Sequence, residues 1–148
     1  EIAILAFKCG ITPSVSLAFG DDNHTYVLRN GKIAHDSHHN YADTSHYEAD
    51  QAYMSRMVAR VIRRLDEEGL LDSTVVTHVT DMGDARSHSN NNVALFMAGA
   101  GIKGGQVTSV GSNVTQRELF QTAAQLLGAD QHANFRSWNR SGLNQVLI

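Results

Sequence analysis

Apolar residues along the chain fall into short patterned blocks separated by polar stretches rich in glycine and asparagine. In the first block, residues 2–9, Ile2, Leu5, Ala6 and Cys9 stand at helical spacing and Gly10 follows. This predicts a helix with those four residues as its apolar stripe. After Pro13, the residues Val15, Leu17 and Phe19 alternate as in a half-buried strand. Gly20-Asp21-Asp22-Asn23 is turn chemistry, Tyr26–Leu28 predicts a short edge strand, and Asn30-Gly31 closes it. The strongest helical period covers Tyr47–Glu68, with Met54, Met57, Val58, Val61, Ile62 and Leu65 on one face. Arg56, Arg60, Arg63, Arg64, Asp66 and Glu67 cover the other, a mixed-charge face that reads as solvated. Ser45 and Glu48 have capping-box spacing at its start, and Gly69 marks its end.

Two strand-like runs, Val75–Thr80 and Val93–Ala98, follow. Thr115 and Glu118 repeat the capping-box spacing before a helix over Gln116–Leu127, expected to bury Leu119, Phe120, Ala123, Leu126 and Leu127. From Ala129 onward the chain reads as an irregular tail, apart from Phe135, Trp138 and the apolar end Val146–Ile148. Strands alternating with helices predict an α/β fold. Its sheet is expected to be mainly parallel, holding residues 15–19, 75–80 and 93–98, with the long helix as a crossover on one face.

Composition narrows the class of protein. At 148 residues, with 42% apolar and 18% charged residues, the chain is one globular domain or part of one. The formal charge of −3 argues against nucleic acid as a partner. No apolar run approaches the roughly 20 residues of a membrane span. A single cysteine, Cys9, excludes an internal disulfide. The opening Glu1-Ile2-Ala3-Ile4-Leu5-Ala6-Phe7 reads as the middle of a helix begun upstream, so residues 1–148 are expected to be a single domain or a C-terminal fragment of a larger one.

Candidate chemistry lies in two polar clusters. One is His35-Asp36-Ser37-His38-His39-Asn40; the other, between the last two strands, holds Asp81, Asp84, Arg86, Ser87, His88 and Asn90 to Asn92. Loops at strand ends are where functional groups concentrate. Asp36, His38, His39, Asp81 and His88 mix oxygen and nitrogen donors in a way suited to zinc or manganese. Read as loops, neither cluster sets two ligands on one helical face, and the competing reading is a hydrogen-bonded surface loop. His78 reads as a packed strand residue, and His24, His46 and His132 as exposed. Gly99-Ala100-Gly101-Ile102-Lys103-Gly104 matches the dinucleotide glycine pattern, but the extended-looking Gln106–Val110 follows instead of a helix, so a glycine-rich turn is expected. No Gly-x-Ser-x-Gly elbow is present. The sequons at Asn23, Asn113 and Asn139 are what chance supplies in a chain with this much Asn, Ser and Thr.

Thr80-Asp81-Met82-Gly83, then Arg86 to Asn92 running into Val93–Gly99, resembles the C-terminal metal-binding segment of the alkaline phosphatase superfamily, which includes the sulfatases. The closer resemblance is to an exported bacterial branch, domain of unknown function 1552. That resemblance implies the C-terminal part of an alkaline-phosphatase-like fold, with Asp81 and His88 as metal ligands. Asp36 with His38 or His39 loosely matches an earlier ligand pair. It further implies a divalent metal (zinc, manganese or calcium), hydrolysis of phosphate or sulfate esters, and a periplasmic or extracellular setting. An upstream segment or partner chains, as in an oligomer, would complete it. Met82 stands where the superfamily has a histidine, and no residue matches its nucleophile. The rival reading is therefore a non-catalytic structural or assembly subunit. A third, a carbohydrate- or surface-binding module, rests on the polar loops and Trp138.

Overall fold

A computed structural model describes residues 1–19, 35, 39 and 44–147, with backbone alone at 44–47. The expected strand at Tyr26–Leu28 and its flanking turns lie outside the described residues, as do Asp36, His38, His24 and the side chain of His46. The chain forms two compact units, residues 1–64 with 80–94 and residues 65–79 with 95–148. Helices and a small antiparallel sheet make up the described structure.

In the first unit, helix α1 is Ile2–Lys8 and helix α2, Thr44–Glu67, contributes all but its last residues. Ile4 is buried in α1, whereas Ile2 and Leu5 are 85% and 59% exposed. Of the predicted stripe, Ile2, Leu5 and Cys9 are exposed and Ala6 is half-buried; Ile4 with half-buried Ala3, Ala6 and Phe7 faces in. Residues 12–19 form no strand, and Val15, Leu17 and Phe19 are exposed. Thr12 ties itself into a local turn instead, its hydroxyl donating to the Ser14 carbonyl at 2.8 Å. Alternation sets a face only when a neighbouring strand supplies the ladder, and no described strand pairs with these residues. Helix α2 begins at Thr44, which puts Ser45 within its first turn. Its apolar face follows the predicted period: Met54, Met57, Val58, Val61 and Ile62 are half-buried, with Arg56, Arg60 and Arg63 exposed. Arg64 pairs with Glu1 at 3.4 Å.

The second unit holds the last residues of α2, strands β1 (Val75–Val79) and β2 (Leu95–Gly99), and helices α3 (Gln116–Leu126) and α4 (Ala133–Arg136). Leu65, near the end of α2, is fully buried. β1 and β2 pair antiparallel, from Val75 opposite Gly99 to Val79 opposite Leu95. The parallel arrangement expected for these two runs is therefore corrected. No helix crosses over between them; the chain from 80 to 94 returns the second strand beside the first in the opposite direction, as a hairpin does. Gly99 cannot carry a side chain, because φ is +99° and an added Cβ would collide with the Thr74 carbonyl. The glycine-rich segment after it is a turn, leading to a bridge between Ile102 and Leu147.

Helix α3 packs on β1 and carries the predicted capping box. Glu118 Oε2 accepts from the Thr115 amide at 2.8 Å and from its hydroxyl at 2.6 Å. Its buried residues are Glu118, Leu119, Gln121, Thr122 and Ala124, while Phe120 and Leu127 are exposed. The expected face is rotated because the C-terminal segment covers a polar one. Thr122 Oγ1 donates to the Glu118 carbonyl and accepts from the Leu143 amide, both at 2.7 Å, and Arg140 reaches Glu118 Oε1 at 3.0 Å. The expected irregular tail is thus partly ordered: it contains α4 and the 3-10 turn Asn144–Val146, and Leu143 is buried.

Candidate metal centre

The first unit brings three histidines together. His39 Nε2 and His88 Nε2 lie 3.0 Å apart, although 49 residues separate them in sequence. Their ring centroids are 4.8 Å apart, and the His35 ring lies 4.5 Å from that of His39 with an edge-to-face tilt of 61°. His35 and His39 both have helical backbone and are half-buried, whereas His88 is exposed.

The loop carrying His88 is built by short-range bonds. Asp84 and Ser89 form an isolated antiparallel bridge, with the Ser89 amide donating to the Asp84 carbonyl at 3.0 Å. Inside that bridge the Asp84 carboxylate accepts from the Arg86 amide at 3.0 Å and from the Ser87 hydroxyl at 2.7 Å. Gly83 closes the base, where a Cβ would strike the carbonyl oxygens of Asn91 and Asn92. This wrapping forces His88 to φ +52°, a left-handed conformation that a β-carbon disfavours. Sparsely populated backbone persists where surrounding bonds over-determine it, and it clusters at functional sites. Thr80 Oγ1 donates to the Met82 carbonyl at 3.1 Å at the loop's start.

Two ring nitrogens 3.0 Å apart fit either of two chemistries. One is a hydrogen bond between neutral imidazoles, one donating N–H and the other accepting. The other is a pair of donors to one dication: with metal–nitrogen bonds of about 2.0–2.1 Å, ligand nitrogens stand about 2.9 Å apart at a right angle and about 3.3 Å at a tetrahedral one. Among the described residues, His35, His39 and His88 included, no group of three or more His, Cys, Asp or Glu is disposed to hold a metal ion.

Of the sequence-predicted ligands, then, His39 and His88 meet. Asp81 is exposed at the start of the same loop, without a described contact to either, and Asp36 and His38 lie outside the described residues. His35 was missed. The sequence carries it four residues before His39. His78 sits half-buried in β1 opposite Phe96.

The family model for proteins of unknown function DUF1501 matches residues 15–141, and the chain belongs to that family. This overturns the resemblance to the alkaline phosphatases, the sulfatases and domain of unknown function 1552. Short runs such as Asp-x-Gly and His-Ser-Asn recur too easily to separate families. No curated protein and no solved structure is significantly similar to the chain. Among the described residues no helix is long and apolar enough to cross a membrane.

Proposed function

We propose that this DUF1501 chain binds a divalent metal ion through His39 and His88. The observation that carries the reading is the 3.0 Å approach of the two Nε2 atoms from distant parts of the sequence. The wrapped loop that holds His88 at φ +52° also fixes where its ring stands against His39. Asp36, His38 and Asp81 are the further donors offered by the sequence, the first two as neighbours of His39 and the third in the His88 loop. A dication so held polarises a phosphoryl or sulfuryl oxygen and lowers the pKa of bound water, which makes hydrolysis of phosphate or sulfate esters the reaction to assay.

The test is equilibrium dialysis of the chelator-stripped chain against zinc, manganese and calcium, paired with ester turnover under the same conditions. Saturable binding in the wild type that is lost in His39→Ala and in His88→Ala is the expected result. Equal binding by all three proteins overturns the reading.

A second reading, an assembly subunit without chemistry of its own, is favoured by one observation. Ile2, Leu5, Ile11 and Leu17 are 85%, 59%, 75% and 56% exposed within residues 2–17, apolar surface of the kind that association covers. Partner chains or an upstream segment would cover it. Light scattering at several concentrations separates the two readings, since a monomer with bound metal removes the second.

A further inference from the structure

We propose that a second copy of this chain pairs with the outer edge of β2, joining two hairpins into one continuous antiparallel sheet across a two-fold axis at Met97. Such pairing is independent of metal binding at His39 and His88, because both strands belong to the second unit. In an antiparallel pair, alternate residues turn their backbone N–H and C=O toward the partner strand, and the residues between turn them away. The Ala100 amide donates to the Thr74 carbonyl at 3.0 Å, which fixes the phase of this ladder. Counting by twos, Val76 with Ala98 and His78 with Phe96 bond inward, while Leu95, Met97 and Gly99 turn their backbone to the outer side of β2. Among the described residues the sheet has two strands, so Leu95 and Met97 meet no ladder on that side. Exposed edges are ordinarily blunted by lysine, proline or inward charge. β2 reads Leu-Phe-Met-Ala-Gly, with none of these, and Phe96 is 44% exposed. A two-stranded ribbon is also marginal as a sheet, and further strands stabilise it.

The side chains of β2 select a second β2 as the occupant. In a two-fold antiparallel pair about Met97, Leu95 falls opposite the partner's Gly99 and Phe96 opposite the partner's Ala98. On both faces of the joined sheet a bulky residue thus lies beside a small one, and two adaptable thioethers meet at the axis. Because Met97 turns its backbone outward, the two copies of it form a hydrogen-bonded pair, each N–H donating to the other's C=O. No charge on β2 opposes the approach of an identical strand. The same operation on β1 about Thr77 would set Val79 against Val75 and His78 against Val76, with no small residue to receive the larger ones. Helix α3 already packs on β1 as well. A two-fold contact uses the same edge of both copies, so association closes at a dimer.

The experiment is sedimentation equilibrium of the full 148-residue chain over a wide concentration range. Wild type should show a reversible monomer–dimer equilibrium. Met97→Pro removes the outward N–H and leaves the inward ladder to β1 intact, the position at which an edge strand tolerates proline. It should weaken dimerisation by at least about tenfold, since both bonds at the axis are lost. Phe96→Lys, which puts a charge on the edge without touching the backbone, should do the same. The double variant Leu5→Arg with Leu17→Arg should dimerise as wild type does, because the exposed residues 2–17 belong to the other unit. Deuterium exchange supplies a readout that needs no substitution: the Met97 amide should slow as concentration rises, whereas the Ala98 amide, already in the inward ladder, should not change. A wild type that stays monomeric throughout overturns the inference. So does a dimer that survives both Met97→Pro and Phe96→Lys, a dimer whose Met97 amide exchanges as fast as in the monomer, or one that only the Leu5 and Leu17 substitutions dissolve. Circular dichroism of each variant excludes loss of fold as the cause.

Discussion

At His88 the backbone and the side chain make opposite demands. A φ of +52° favours glycine, yet the ring is what meets His39. His88→Gly should therefore be more stable than His88→Ala by about 1 kcal/mol, since only the alanine keeps a β-carbon in the left-handed region. Both should lose metal binding. Urea unfolding of the two variants, with zinc dialysis alongside, checks this. Gly83 makes the reverse case. Gly83→Ala forces a Cβ into the carbonyls of Asn91 and Asn92, and the shift should cost roughly 1–3 kcal/mol and weaken zinc binding through displacement of His88. Unaltered zinc affinity in Gly83→Ala would show that the loop does not position the ring. Of these residues, the sequence displayed His88 and His39 as candidates, because donor type is visible without structure. It hid their convergence, which depends on where two segments far apart in sequence come to lie.

Helix ends were the most legible elements. Gly10, Gly69 and Gly128 each have positive φ after a helix, and in each case the next amide reaches back five residues: Ile11 to Ala6, Leu70 to Leu65, Ala129 to Ala124. A left-handed residue followed by that bond is the usual helix stop, and it depends on local chemistry that a sequence carries. The Thr115–Glu118 box was legible for the same reason. Thr115→Ala should lower stability by about 1 kcal/mol, read from the urea midpoint. Helix faces were less legible. Leu119 is buried but Phe120 and Leu127 are not, because Arg140 and Leu143 engage Glu118 and Thr122 from a segment that shows no period. Leu65→Ala should cost about 2–5 kcal/mol, well above Val61→Ala, whose side chain is only half-buried. Equal losses at the two positions would put the core in the wrong place.

For the molecule as a whole, pH enters through Glu118. Burial alone would raise its pKa, but hydrogen bonds from the Thr115 hydroxyl and amide, from its own amide, and the charge of Arg140 outweigh burial and hold the carboxyl below its usual value. A carboxyl with a depressed folded pKa stabilises fully above its unfolded value of about 4.3, and that contribution is lost as pH falls through the lower folded value. The stability gap between wild type and Glu118→Gln should accordingly be constant above about pH 5 and narrow below it. The sheet was the least legible feature: Val-rich runs identify strands, but direction depends on how the chain returns, and no residue in 80–94 announces a hairpin of that length.

The bond from the Leu143 amide to the buried Thr122 hydroxyl also bears on time. Thr122 lies inside α3, so that amide meets solvent only when the helix itself comes away from the C-terminal segment. Lys103 donating to the Val146 carbonyl at 2.8 Å fastens the same segment to the turn after β2. Opening is then a shared event of helix, strand and C-terminal segment, and not a fraying of the chain's last residues. In a deuterium-exchange experiment, Leu143 should take up label no sooner than Leu119.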